Sequence, residues 1–158
     1  MEMDEEGFER RVLVGLSGAS GAIYGVRVLE ALASKPDVEV HLIVTSAARS
    51  IVEDETGRDM DEVAELADQV WDDGVMESPL ASGSYHVDAM AVVPCSVSTV
   101  AKIATGVGDT LLTRAAAVTL KERRRLVIMA REMPLSTIDL RNLTTLSEAG
   151  AVVAVASP

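Results

Sequence analysis

The apolar run Val12-Leu13-Val14-Gly15-Leu16 stops in Ser17-Gly18-Ala19-Ser20-Gly21, and an amphipathic stretch follows from Ile23 to Leu32. Few folds accept that order. It describes a β-strand feeding an α-helix through a tight glycine-serine loop. Glycine there lets a ligand approach the main chain, and the helix N-terminus behind it favours an anion. A phosphate-bearing ligand is the first expectation. Gly15, Gly18 and Gly21 are spaced G-x-x-G-x-x-G, which is not the dinucleotide fingerprint, and the G-K-[ST] of a Walker loop is absent.

The same grammar repeats along the chain. Strands are expected at Arg11–Ser17, Val38–Thr45, Ala89–Pro94, Leu126–Arg131 and Ala151–Ala156. Helices are expected at Ala22–Ser34, Ala47–Glu55, Val97–Thr105, Thr110–Arg123 and Thr137–Glu148, with the acidic stretch Asp59–Trp71 also read as helix. Ser78–Asp88, with Pro79, Gly83 and three serines, reads as a loop. Nearly all-apolar strands separated by helices imply a parallel sheet covered on both faces. The expected fold is a Rossmann-like three-layer α/β sandwich with a mostly parallel sheet. Ligands of such sheets bind beyond the strands' carboxyl ends. Here those ends are Gly15–Gly21, Thr45–Ala48, Pro94–Thr99 and Arg131–Leu135.

A chain of 158 residues with 48% apolar content supports one domain with a real core. The domain is expected over residues 10–158, preceded by a disordered acidic tail, 1–9. No apolar run reaches the length of a membrane span and no signal peptide is recognisable, so a cytoplasmic protein is expected. A single cysteine, Cys95, fits a reducing compartment. The net charge of −11 argues against a nucleic-acid partner. Many acids and few lysines fit a salt-rich cytoplasm and, equally, a surface made acidic for solubility.

Ser96, Ser98 and Thr99 put three hydroxyls at a helix start, enough to cap it and still serve a phosphate. Cys95 reads as a packing residue, because no base lies nearby in sequence to activate it. His41 and His86 are isolated, so no metal site is expected. Arg114 and Lys121 stand seven residues apart, on one helix face. The neighbouring run Glu122-Arg123-Arg124-Arg125 reads as a solvated helix exit. Arg131-Glu132 ends a buried strand before Pro134, where each charge needs a partner.

Six blocks together resemble the UbiX-like flavin prenyltransferase family of flavoproteins. They are Ser17-Gly18-Ala19-Ser20-Gly21-Ala22-Ile23-Tyr24-Gly25, Ala81-Ser82-Gly83-Ser84, Pro94-Cys95-Ser96, Arg114-Ala115-Ala116, Leu120-Lys121-Glu122-Arg123-Arg124, and Arg131-Glu132 with Pro134-Leu135. They occur in family order from Val12 to Ala151. The resemblance implies transfer of a dimethylallyl group from dimethylallyl phosphate to N5 and C6 of reduced FMN. The product would be prenylated FMN for a partner decarboxylase. It also implies a homo-oligomer, a dodecamer being one such assembly, and a pocket without a metal.

Carried over by position, Gly18, Ala19, Ser20, Thr45, Ser96, Val97, Ser98, Thr99 and Arg131 would bind FMN, with Ser20 near the reacting edge. Arg114 and Lys121 would hold the donor phosphate. Ser20, Glu55, Glu132 and Lys121 would carry the catalytic roles. Two departures stand out. Ala117 replaces an aspartate of the family pattern, and the sequence ends at Pro158, where that pattern continues with a tyrosine, an arginine and a terminal helix. The expected domain therefore lacks the usual C-terminal segment and those two phosphate contacts. Two alternatives share the fold: an FMN-dependent cysteine-type decarboxylase, with His86 as its histidine, and a non-catalytic flavin-binding subunit.

Overall fold

The computed structural model describes residues 7–156. Six parallel strands, β1 (Arg10–Leu16), β2 (Val38–Val44), β3 (Gln69–Asp72), β4 (Ala89–Cys95), β5 (Arg125–Ala130) and β6 (Val152–Val155), form one sheet in the order β3-β2-β1-β4-β5-β6. The helices are α1 (Ala22–Ala33), α2 (Ser46–Thr56), α3 (Met60–Ala64), α4 (Val97–Thr105), α5 (Leu111–Lys121) and α6 (Thr137–Glu148), with a single 3₁₀ turn at Pro79–Ala81. The expected α/β sandwich is the observed one, and its sheet is parallel throughout. The expectation of a disordered 1–9 tail lies outside the described residues for 1–6. Glu9 donates its N–H to the Asp37 carbonyl at 3.0 Å.

Pleating sends successive strand residues to opposite faces, and both faces are apolar. Leu13, Ile43, Met90, Leu126 and Ile128 join one core with Val100, Leu112, Ala116 and Leu146 of α4, α5 and α6. Val14, Leu16, Leu42 and Val44 join the other with Val26, Leu29, Val52 and Val63 of α1, α2 and α3. From β1 the chain winds outward to β2 and β3, then returns to start β4 on the other side of β1. The crevice between the carboxyl ends of β1 and β4 is thus the switch point where such sheets bind ligands.

The acidic stretch 59–71 corrects the expectation of one helix. Asp59 caps a five-residue α3, accepting the Asp61 N–H at 2.7 Å, and the chain then turns into β3. The sheet edge offers what a longer helix would forgo. Asp68 donates its N–H to the Val40 carbonyl at 2.8 Å and accepts the Val40 N–H on its carboxylate at 2.7 Å. Val70 and Trp71, good strand formers, then pair with Leu42 and Ile43.

In the amino half of the sheet a connected polar group lies under the 78–88 loop. Buried His41 shares a 2.8 Å hydrogen bond with Glu39 and accepts the Trp71 indole N–H on Nδ1 at 2.9 Å. Nε2 is therefore the protonated ring nitrogen and Glu39 its acceptor. Arg11 donates to the other Glu39 oxygen at 2.6 Å and to the His86 carbonyl at 3.0 Å, with its guanidinium 4.5 Å from the centre of the Tyr85 ring.

Candidate functional site

Two loops meet at the switch point, and a buried hydroxyl joins them. Ser17 Oγ donates to the Pro94 carbonyl at 2.9 Å and accepts the Ser96 N–H at 2.8 Å. Next to it, Gly18 packs on the start of α2, where a Cβ would stand 2.6 Å from Ala47 Cβ. The glycine is needed for that close approach.

Gly21 at φ 98° ends the loop and precedes α1 without a side-chain cap of its own. Glu55 supplies the cap from α2, accepting the N–H groups of Gly21 and Ala22 at 2.9 Å each. Burial pushes the Glu55 carboxyl up. The Ser20 hydroxyl, the two amides and the Arg131 charge outweigh it and hold the group below the usual glutamate range. The anion expected at the α1 terminus is thus an internal one: the Glu55 carboxylate already occupies that helix end behind the glycine loop.

The anion-binding potential lies one turn away. Thr45 caps α2 by accepting the Ala48 N–H at 3.2 Å, and Ser96 caps α4 by accepting the Thr99 N–H at 3.2 Å. Each cap satisfies one amide and leaves the rest of the first turn for a ligand. Gly18, Thr45, Ser96, Ser98, Thr99, Lys102 and Thr110 line a cavity of about 230 Å³ between these helices. The adjoining cavity, about 370 Å³, is lined by Gly18, Ala19, Ser20, Ser96, Val97, Ser98, Arg131, Glu132 and Met133. Arg131 brings to it a buried Nε with no hydrogen-bond partner. A buried donor left unpaired costs free energy, so a ligand that accepts from it is favoured.

All nine residues expected to bind FMN therefore line two adjoining cavities, and Glu132 lines one of them. The donor residues do not join them. Arg114 and Lys121 line neither cavity. Arg114 Nε donates to the Ala81 carbonyl at 3.1 Å, and Lys121 is ion-paired with Glu122. Helix α5 starts at the carboxyl edge of the sheet and ends just before β5 begins, so the Lys121 backbone stands about 13 Å along the helix from the cavity rim at Leu112.

Asp73 was not singled out in the sequence. It receives the Leu111 N–H on its carbonyl at 2.9 Å and the Leu112 N–H on its carboxylate at 2.8 Å, seating α5 beside the smaller cavity. Its local signal in the sequence is the turn-forming pair Asp73-Gly74, which does not point to α5. Cys95 is fully buried and its thiol is pushed up to about 12, so it packs and does not react. His86 is exposed, bonded to Asp88 at 3.0 Å, and precedes β4 at the edge opposite the cavities. That position keeps His86 away from the cavities of its own chain.

Comparison with known proteins agrees with this geometry. The sequence profile of the Flavoprotein family matches residues 2–158. The chain is 49% identical over 148 residues to "Flavin prenyltransferase UbiX" of Thermoplasma acidophilum, covering 94% of this chain and 81% of that protein. A dodecameric FMN-dependent UbiX-like decarboxylase from Escherichia coli O157:H7 superposes with a TM-score of 0.91 at 43% identity, covering 94% of this chain and 80% of that one. The structure of AnUbiX in complex with FMN and dimethylallyl pyrophosphate superposes with a TM-score of 0.87 at 46% identity, over 91% of this chain and 76% of that one. The matched profile, the identity to curated relatives and the shared fold show that the chain belongs to the Flavoprotein family, in the branch of the UbiX-like flavin prenyltransferases.

Proposed function

We propose that the protein transfers the dimethylallyl group of dimethylallyl phosphate to N5 and C6 of reduced FMN, making prenylated FMN for a partner decarboxylase. One observation carries the reading: loops from three strands, β1, β4 and β5, line one cavity, and Arg131 keeps an unpaired buried donor there. The small residues Gly18, Ala19 and Ser20 leave room for a flat ring. The hydroxyls of Thr45, Ser98 and Thr99, with the amides of α2 and α4, suit the FMN phosphate. Reduced FMN supplies an electron-rich ring as the acceptor of the prenyl group.

The allylic C–O bond breaks with its electron pair leaving on phosphate, and cations in a dry site favour that charge. Arg114 and Lys121 are the cations for it. The run of α5, about 13 Å from Leu112 to Lys121, keeps Lys121 from the flavin of its own chain, so the reading requires a second copy to bring it. The functional unit is accordingly a homo-oligomer. Ionised Glu55 accepts from Ser20 and fixes that hydroxyl beside the flavin. Bonding at N5 releases its proton, ring closure adds a proton to the allylic double bond as C6 bonds to it, and Glu132 or the released phosphate takes the proton then lost at C6. A cytoplasmic setting fits the lone reduced cysteine.

The test is anaerobic incubation with reduced FMN and dimethylallyl phosphate, followed by mass spectrometry of the released flavin. A flavin heavier by one isoprene unit is expected. A flavin-loaded protein that returns only FMN would overturn the assignment.

A further inference from the structure

Of the basic residues that close α5, Lys121, Arg123 and Arg125 are exposed while Arg124 is half-buried. The helix ends at Lys121, and Arg123 follows at φ 57°, the only non-glycine residue at positive φ among the described residues. A side chain in that region is uphill and persists where its surroundings hold it. The turn closes with the Arg123 N–H on the Leu120 carbonyl at 3.1 Å and the Arg124 N–H on the Thr119 carbonyl at 2.9 Å. Glycine ordinarily supplies this helix ending. Its result here is to aim Arg124 back at the preceding loop.

Arg124 Nη2 donates to the Gly83 carbonyl at 2.8 Å and Nη1 to the Tyr85 carbonyl at 3.2 Å. Arg114 Nε holds the Ala81 carbonyl. Alternate carbonyls at 81, 83 and 85 are thus each fixed by a guanidinium. The fixed loop in turn confines Lys121. A Cβ on Gly83 would stand 2.7 Å from Lys121 Nζ and 2.8 Å from Glu122 Cδ, so the loop backbone bounds the space open to that ion pair. The Ser82 and Ser84 hydroxyls, 2.8 Å apart and exposed, flank the same point.

We propose that Arg124 is a positioning residue for the donor phosphate: through the 81–85 loop it fixes where the Lys121 ammonium stands. The inference rests on the reading that Lys121 receives that phosphate. A lysine side chain has large rotamer freedom, and a half-site completed by a second copy gains from a cation already in place. The planar fork of arginine can hold two carbonyls at fixed angles, which a lysine cannot.

The experiment uses the full chain with saturating reduced FMN, varies dimethylallyl phosphate, and measures FMN affinity separately. Arg124→Ala is expected to raise KM about tenfold with kcat within about twofold and FMN affinity unchanged. Millimolar guanidinium should lower the KM of that variant and leave the wild type alone, and Arg124→Lys should fall between them. Gly83→Ala keeps Arg124 but displaces the flexible tips of Lys121 and Glu122, so it should raise KM similarly. An unchanged KM in folded Arg124→Ala overturns the proposal, and so does an equal loss of FMN affinity. If Arg124→Ala does not fold, Gly83→Ala decides by the same criterion. If the wild type makes no adduct, the functional reading has failed, and titration of dimethylallyl phosphate decides this one. Binding about tenfold weaker in the variants upholds it, whereas equal or undetectable binding overturns it.

Discussion

Arg131 and Arg11 stand near opposite ends of neighbouring parts of one sheet, and the fold treats them in opposite ways. Arg11 spends its guanidinium on Glu39, the His86 carbonyl and the Tyr85 ring. Around it His41 and Trp71 also find partners, so the amino half is a closed polar circuit. Arg131 lies in a wall of glycine, alanine and serine and leaves a buried donor unpaired. Both arginines follow from the same residue type at a strand end. What separates scaffold from site is whether the circuit closes within the chain.

The contrast is sharpest if each region can be damaged without the other. The largest effect is expected in the closed circuit. Glu39→Ala removes the acceptor of the buried His41 N–H and one partner of half-buried Arg11, and should cost about 3–5 kcal/mol of stability. Denaturant unfolding reads that loss, and FMN titration of the folded fraction should show affinity unchanged. A fall in FMN affinity equal to the fall in stability would erase the distinction between the two regions.

Arg131→Ala should do the reverse. Flavin affinity is expected to fall between about tenfold and a hundredfold, from the loss of a hydrogen bond to a charged donor. Stability without flavin should hold or rise, because an unpaired buried donor is removed. Isothermal titration beside an unfolding curve tests both halves of that statement.

The smallest effect is a pH dependence of the closed circuit. Burial lowers the His41 affinity for protons, against the opposing pull of Glu39. The folded chain therefore refuses a proton that the unfolded chain accepts once pH falls below the ordinary histidine value of 6.5. Stability supplied by neutral His41 is present above that value and is lost as pH falls beneath it. Unfolding curves between pH 8 and pH 5 should show this slope, and His41→Gln should flatten it.

Much of the cavity wall was legible in the sequence because its parts are local. A strand, a glycine-serine turn and a hydroxyl at a helix start each announce themselves within a few residues, as Ser17–Gly21 and Ser96–Thr99 do. The partnerships were not legible. Glu55 reaches Gly21 across 34 positions, Asp73 reaches Leu112 across 39, and Arg124 reaches Gly83 across 41. No periodicity or turn signal encodes such a span. The basic run Lys121–Arg125 shows the cost most clearly: read locally it is a solvated helix exit, yet one of its arginines is half-buried and clamps a loop. For Lys121 the missing element is larger still, since its expected place in the site depends on a second copy of the chain.

Cys95 gives the fold an internal clock. It is the single cysteine, it sits at the carboxyl end of the central strand β4, and none of its surface reaches solvent. A thiol so placed meets an alkylating reagent only when the strands around it part. The rate at which this one atom becomes labelled therefore counts excursions of the sheet's centre out of the native state, with no reporter added to the protein.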